Sequence, residues 1–297
     1  MRILSFRPLI YSIIYISVFF CPIAGSGQSV AETDYLPADS VEVERLLRSA
    51  PASANPLWYA RQFLGRPYVA HTLEKGPSEP LTVNLRGLDC TTLVETVSAL
   101  YLCRRQERFT FADYKATLQN LRYFDGHRQG YLSRLHYFAW WVRDNELRHN
   151  IVRVADNAHF TAHLRIDNHY MSTHPQAYPL LANDTLAVSQ IRSLEKAYNG
   201  DGGPYLPAVA TGLSRKELAT IQDGDIIAIV TSRDGLDYAH LGFAQWGKDG
   251  KLHMLHASSL RKRVISDPLP LREYLRKHPS FSGIAVFRLQ PAVVSTQ

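Results

Sequence analysis

Apolar residues recur at three- and four-residue spacing through the first two-thirds of the chain, then switch to alternation. Leu93, Val94, Val97, Leu100 and Tyr101 mark one face of a helix running to about Arg105, opened by the capping residue Asp89. Upstream, Ser40 caps a short helix through Val41, Val43, Leu46 and Leu47. Asn55-Pro56 opens another that stops at Gly65. Thr110 caps a helix over Phe111 to Tyr123, with Asp113 completing a capping-box-like pattern. After turn signals at Asp125-Gly126 and Gln129-Gly130, Ser133 caps a helix containing His136, Phe138, Trp140, Trp141 and Leu147. The stretch 151–205 is weakly patterned, with one helix expected near Leu186 to Tyr198 and a stop at Asn199-Gly200-Asp201-Gly202-Gly203. From about Pro207 alternation predicts strands over Asp225 to Thr231, Ala239 to Trp246, Leu252 to Ala257, Arg263 to Ile265 and Gly283 to Leu289. Asp234-Gly235 and Asp249-Gly250 supply tight turns, and Leu271 to Lys277 a short helix. Helices first and strands later predict an α+β fold.

The N-terminus departs from these patterns. Arg2 and Arg7 precede an almost wholly apolar run from Pro8 to Phe20, then small residues at Ala24-Gly25-Ser26. That is the order of a secretory signal peptide, too short for a mature membrane span. It predicts a signal over 1–26, a single domain over 27–297 and an exported, periplasmic location, with no stable membrane insertion afterwards. Phe20 stands before Cys21 where a lipobox wants a small residue, which argues against a lipoprotein. The chain carries 33 Lys+Arg against 27 Asp+Glu, a mild basic excess partly owed to the signal. The basic run Arg261-Lys262-Arg263 has no nucleic-acid motif beside it, so no nucleic-acid partner is expected. No cofactor or metal site is expected: His159 and His163 have the spacing of a helical metal pair but lack a zinc-protease glutamate. The chain is expected to be a monomer.

With the signal removed, only Cys90 and Cys103 remain. Thirteen residues apart on one helix, they stand roughly 20 Å apart, beyond disulfide reach. Cys103 reads as a small core residue. Cys90 opens the helix, where unpaired N–H groups and the helix dipole favour a thiolate. A bell-shaped pH profile, with thiolate and imidazolium coexisting, is the corresponding expectation. A nucleophile needs a base, and the base an orienting partner. His240 and His256 flank the Asp249-Gly250 turn and should fall close to opposite one another on a hairpin, with His253 on the other face.

Asp89-Cys90 at a helix start, then His240-Leu241-Gly242-Phe243-Ala244, then Leu255-His256-Ala257-Ser258 resembles the NlpC-type papain-like cysteine hydrolases of bacterial cell walls. The resemblance implies a papain-like fold: a nucleophile at the start of a helix packed on an antiparallel sheet or half-barrel, here with a helical insertion at about 106–205. It implies Cys90 as nucleophile, His240 as base and His256 as its orienting partner. Tyr68 and Asp89 would lie beside the nucleophile, with Ser258 in the His-Ala-Ser segment. The family often follows its Pro-Tyr with paired glycines, where Val69-Ala70-His71 stands here.

Asp89-Cys90-Thr91-Thr92-Leu93-Val94-Glu95, Tyr131-Leu132-Ser133-Arg134-Leu135-His136-Tyr137, Gly224-Asp225-Ile226-Ile227 and Gly235-Leu236-Asp237 are similar to the exported branch with N-acetylmuramoyl-L-alanine amidase activity. Peptidoglycan or a muropeptide would be the substrate. Arg134, His136 and Tyr137 are candidates to touch sugar or peptide carboxylate. The plainer alternative pairs Arg134 with a protein carboxylate and packs Tyr137. A γ-D-glutamyl-diamino acid endopeptidase of the same fold, or a non-catalytic wall-binding module, are the alternative functions.

Overall fold

The computed structural model describes residues 33–290; the signal segment and Cys21 lie outside the described residues. Helix α1 spans Pro37–Ser49, α2 Pro56–Arg61, α3 Cys90–Arg105, α4 Phe111–Arg122 and α5 Phe138–Leu147. Strands β1 (Ile151–Arg153) and β2 (Ala162–Ile166) follow, then α6 (Tyr170–Thr173), α7 (Thr185–Tyr198) and β3 (Gly200–Pro207). The chain continues through β4 (Ile226–Thr231), β5 (Tyr238–Trp246), β6 (Leu252–Ser258) and β7 (Arg263–Ser266) to α8 (Leu271–Arg276) and β8 (Phe281–Leu289).

One antiparallel sheet runs in the order β2-β3-β8-β4-β5-β6-β7, and β1 also pairs with β8. Strand β4 is buried at every position because both faces of the sheet are covered. On one face Ile226, Ala228, Val230, Phe243, Leu255 and Phe287 join the core formed with Leu93, Val97 and Leu100 of α3. On the other, Ile227, Ile229, Met254 and Val286 pack with Leu271 and Leu275 of α8. The two-residue side-chain period thus divides one hydrophobic strand between two cores.

Several boundaries differ from expectation for local reasons. Helix α1 starts at Pro37, whose fixed φ suits a first turn, and Ser40 lies inside it donating back to Pro37 O at 2.7 Å. Helix α5 starts at Phe138, so His136 precedes it. Ser133 instead closes a 3₁₀ turn, its hydroxyl bonded to Gly130 O. The 106–205 region is not purely helical: β1 and β3 both extend the sheet along β8. The glycines at 200, 202 and 203 belong to β3 rather than to a stop. At Gly202 a Cβ would come within 3.0 Å of Leu164 and Ile166, so the bare backbone lets β2 and β3 close together.

Candidate active site

Cys90 is the first residue of α3. Asp89 Oδ1 accepts from the Thr92 N–H at 2.8 Å, and Thr92 Oγ1 accepts from the Asp89 N–H at 2.9 Å. This reciprocal cap fixes the entry angle of the chain and therefore the direction of the thiol. Leu88 runs alongside Tyr68 and bridges to it, while Pro67 bridges to Arg263. Tyr68 thus stands next to Cys90, and burial, aided by the Cys90 and Asp89 charges, pushes its phenol up to about 12.

The two histidines meet. His240 Nε2 and His256 Nδ1 are 2.6 Å apart, with the rings edge to face. They are not directly opposite. Trp246 pairs with Leu252 and Phe243 with Leu255, which sets the histidines on a diagonal of the hairpin. Gly242 permits the approach, since a Cβ there would lie 2.6 Å from Met254 Cγ and 2.8 Å from Leu255 O. His253 faces away, against Asp249. Two partners were not legible in the sequence. The Asp267 carboxylate lies 3.2 Å from His256 Nε2, and the Tyr274 ring packs 5.6 Å from His256 and 6.4 Å from His240.

Cys90 and His240 open onto one cleft of about 360 Å³, walled by Tyr68, His71, Glu74, Arg134, His136, Tyr137 and Tyr238. The Leu241 N–H and Thr91 both act on the Cys90 sulfur in favour of its anion. They do not prevail. Desolvation of the enclosed sulfur, reinforced by Asp89, pushes the thiol up to about 12, reversing the expectation from the helix dipole alone. Desolvation, with the nearby His256 and His278, lowers His240 to about 3. Thiol and imidazole are therefore both neutral at rest, and His240 is suited to take the thiol proton as the sulfur attacks. For such a pair the base must be unprotonated, so lowering its pKa moves the acid limb of activity downwards. We expect kcat/KM to stay flat through neutral pH and to fall only well below 6.5. An acid limb centred at or above 6.5 in a pH–rate profile contradicts this.

The three insertion candidates line the cleft, but their polar groups are engaged by the protein. Arg134 is buried and pairs with Glu74 and, at 3.2 Å, with Glu79. His136 is neutral, desolvated beside Arg134, and its Nε2–H donates to Tyr131 O at 2.8 Å. Tyr137 donates to Glu195 at 2.7 Å and accepts from the Met171 N–H at 2.8 Å. Arg134 thus has the protein carboxylate partners of the plainer alternative, while its side chain and that of Tyr137 also line the cleft. Ser258 does not line the cleft: its Oγ accepts from the Arg261 N–H at 3.1 Å and closes the β6–β7 turn. Asp237, at the cleft edge, accepts from the Ala139 N–H at 2.6 Å and so caps α5 from a distance. Cys103 is buried and free, its sulfur 3.1 Å from Thr117 Oγ1. His163 lies on a strand and pairs with Asp201 at 2.6 Å, not with His159. No helix of the described residues is long and apolar enough to cross a membrane.

Solved structures share this architecture. An N-acetylmuramoyl-L-alanine amidase from Bacteroides uniformis is 38% identical, with 80% of this chain and 97% of that one covered and a TM-score of 0.73. A Bacteroides fragilis protein provisionally named a xylanase is also 38% identical, covering 78% and 100%, with a TM-score of 0.73. A Legionella pneumophila protein shares the fold at 21% identity, covering 86% and 95%, with a TM-score of 0.64. No curated protein sequence matches the chain. Residues 59–284, most of the chain, match the AmiA-like family, described as N-acetylmuramoyl-L-alanine amidase-like, and the protein belongs to that family.

Proposed function

We propose that the protein is an exported N-acetylmuramoyl-L-alanine amidase of the NlpC papain-like type, with residues 27–297 as one catalytic unit. The observation that carries this reading is the Cys90 thiol at a helix N-terminus opening onto the same cleft as a histidine hydrogen-bonded to a second histidine. His240 takes the thiol proton while the sulfur adds to the carbonyl carbon of the lactyl–alanine amide. Negative charge develops on the carbonyl oxygen, to which the Cys90 N–H and the Tyr68 hydroxyl donate in this reading. Collapse breaks the C–N bond, and the departing L-alanine amine takes its proton from His240. The remaining thioester is hydrolysed by water activated by the same imidazole, which restores the thiol and releases the muramic acid carboxylate.

The name of the Bacteroides fragilis relative raises glycoside hydrolysis. That chemistry needs two carboxyl groups facing one bond. In this cleft Glu74 is tied to Arg134, Glu95 to Arg122, Asp89 caps α3 and Asp237 caps α5, which leaves each committed to the scaffold. The amide reading is therefore preferred.

The test is digestion of N-acetylmuramoyl-L-Ala-D-Glu-diamino acid with mass spectrometry of the products. Free N-acetylmuramic acid and an intact tripeptide are expected. Release of the diamino acid, with muramoyl dipeptide left over, identifies an endopeptidase and overturns the amidase assignment.

A further inference from the structure

We propose that Asp267 is a positioning residue that acts through His256 to fix which nitrogen of His240 carries hydrogen, leaving His240 Nδ1 free to receive the Cys90 proton. The inference rests on Cys90 and His240 being the reacting pair.

Asp267 is held in place on every side. Its N–H donates to Met254 O at 2.9 Å, and its carbonyl accepts from His253 Nδ1 at 3.1 Å. Its Oδ1 accepts from the Leu269 N–H at 2.9 Å, so only Oδ2 is left to face His256 Nε2, at 3.2 Å. The carboxylate side chain is only 11% exposed and His256 is fully buried, so solvent does not compete for the contact. Burial raises the Asp267 carboxyl, but the His256 and Leu269 hydrogen bonds outweigh it and keep the group ionised.

The hydrogens then follow by exclusion. An ionised carboxylate only accepts, so His256 Nε2 carries a hydrogen. In the proposed array that is the one hydrogen on the His256 ring, so its Nδ1 presents a lone pair. At 2.6 Å, His240 Nε2 must supply the hydrogen between the rings. Neutral His240 is left with its lone pair on Nδ1. When the thiol proton arrives there, His240 becomes an imidazolium whose Nε2–H is already oriented, and Asp267 favours the new charge. His256 and Asp267 neither gain nor lose a proton at any step. The other titratable groups facing the array are His278 and Tyr274 beside His240, and Arg261 beside Asp267.

Asp267→Asn tests this in a way that a packing role would not mimic. The Leu269 N–H still needs an acceptor, which turns the amide oxygen towards it and the NH₂ towards His256 Nε2. That NH₂ donates, His256 is driven to its Nδ1–H form, and His240 is forced to carry hydrogen on Nδ1, the nitrogen assigned here to receive the thiol proton. Asp267→Ala imposes no tautomer. With the muramoyl tripeptide as substrate, we expect Asp267→Asn to lose at least about a hundredfold in kcat with little change in KM. Asp267→Ala, though the larger truncation, should lose only about tenfold. Proton–nitrogen NMR of the imidazoles should find hydrogen on His240 Nε2 in the wild type and on Nδ1 in Asp267→Asn. An asparagine variant within threefold of wild type, or no worse than alanine, overturns the proposal. Should both variants fail to fold, wild-type spectra decide alone, and hydrogen on His240 Nδ1 overturns it. Undiminished activity in Cys90→Ala would instead sink the underlying nucleophile assignment, so the two failures are separable.

Discussion

Cys90→Ala is expected to abolish amide cleavage, with kcat falling at least about 10⁴-fold while the fold is retained. One sulfur carries the covalent step in this reading, and alanine at the first position of α3 keeps the helix and its Asp89–Thr92 cap. His240→Ala should cost nearly as much, because the neutral thiol cannot shed its proton unaided at neutral pH. The double variant should then be no slower than either single one, since a base without its nucleophile has nothing to deprotonate. His256→Ala should be milder than His240→Ala, its part being to hold a ring that can still sample productive orientations. Steady-state kinetics on the muramoyl tripeptide, with circular dichroism to verify folding, checks all four. Retention of a tenth of wild-type activity by Cys90→Ala, or additive losses in the double variant, contradicts the Cys90–His240 assignment.

What could be read from the sequence was local. The α3 boundary and its cap depend on Asp89, Thr92 and the apolar spacing that follows, all within one helix, and Thr110 with Asp113 sets α4 in the same way. The hairpin carrying His240 and His256 was legible because its turn is short. Its register was not: Gly247 N–H bonds to Lys251 O, so the loop is centred on Asp249, one residue later than the centre at 248 that directly opposed histidines would need. A one-residue shift of the turn displaces the cross-strand partner by two, which turns an opposed pair into a diagonal one. Asp267 left no signal. It stands eleven residues after His256 in an irregular segment, and only the return of β7 along β6 brings the two together. The surroundings of the thiol were not legible for a related reason. The helix end is written in the sequence, but the enclosure of the sulfur by Tyr68, Leu241 and the cleft walls is a tertiary fact, and it outweighs the dipole.

Arg134→Met is expected to be the most damaging change to stability near the cleft, lowering the unfolding free energy by about 3–5 kcal/mol at pH 7.5. Arg134 is sealed between Glu74 and Glu79, and Glu79 also accepts from the Tyr123 hydroxyl at 2.9 Å. The same arginine joins the segment carrying His71, Glu74 and Glu79, one wall of the cleft, to the element that precedes α5. Methionine fills similar volume but leaves two dehydrated carboxylates facing one another. Burial already raises Glu79 even with the guanidinium present. Without it, Glu79 would be raised further. A carboxyl whose folded pKa lies above its unfolded value contributes stability at low pH, and that stability is lost as pH rises through the folded value. The deficit in Arg134→Met should therefore be small near pH 4.5 and large at pH 7.5 and above. Urea unfolding followed by fluorescence across that range measures it directly. A deficit below about 1 kcal/mol at pH 7.5 would mean that the buried cluster relaxes or hydrates at little cost. A deficit that does not vary with pH would assign the loss to packing and not to stranded charge. In either case Arg134 would no longer account for the fixed position of this wall.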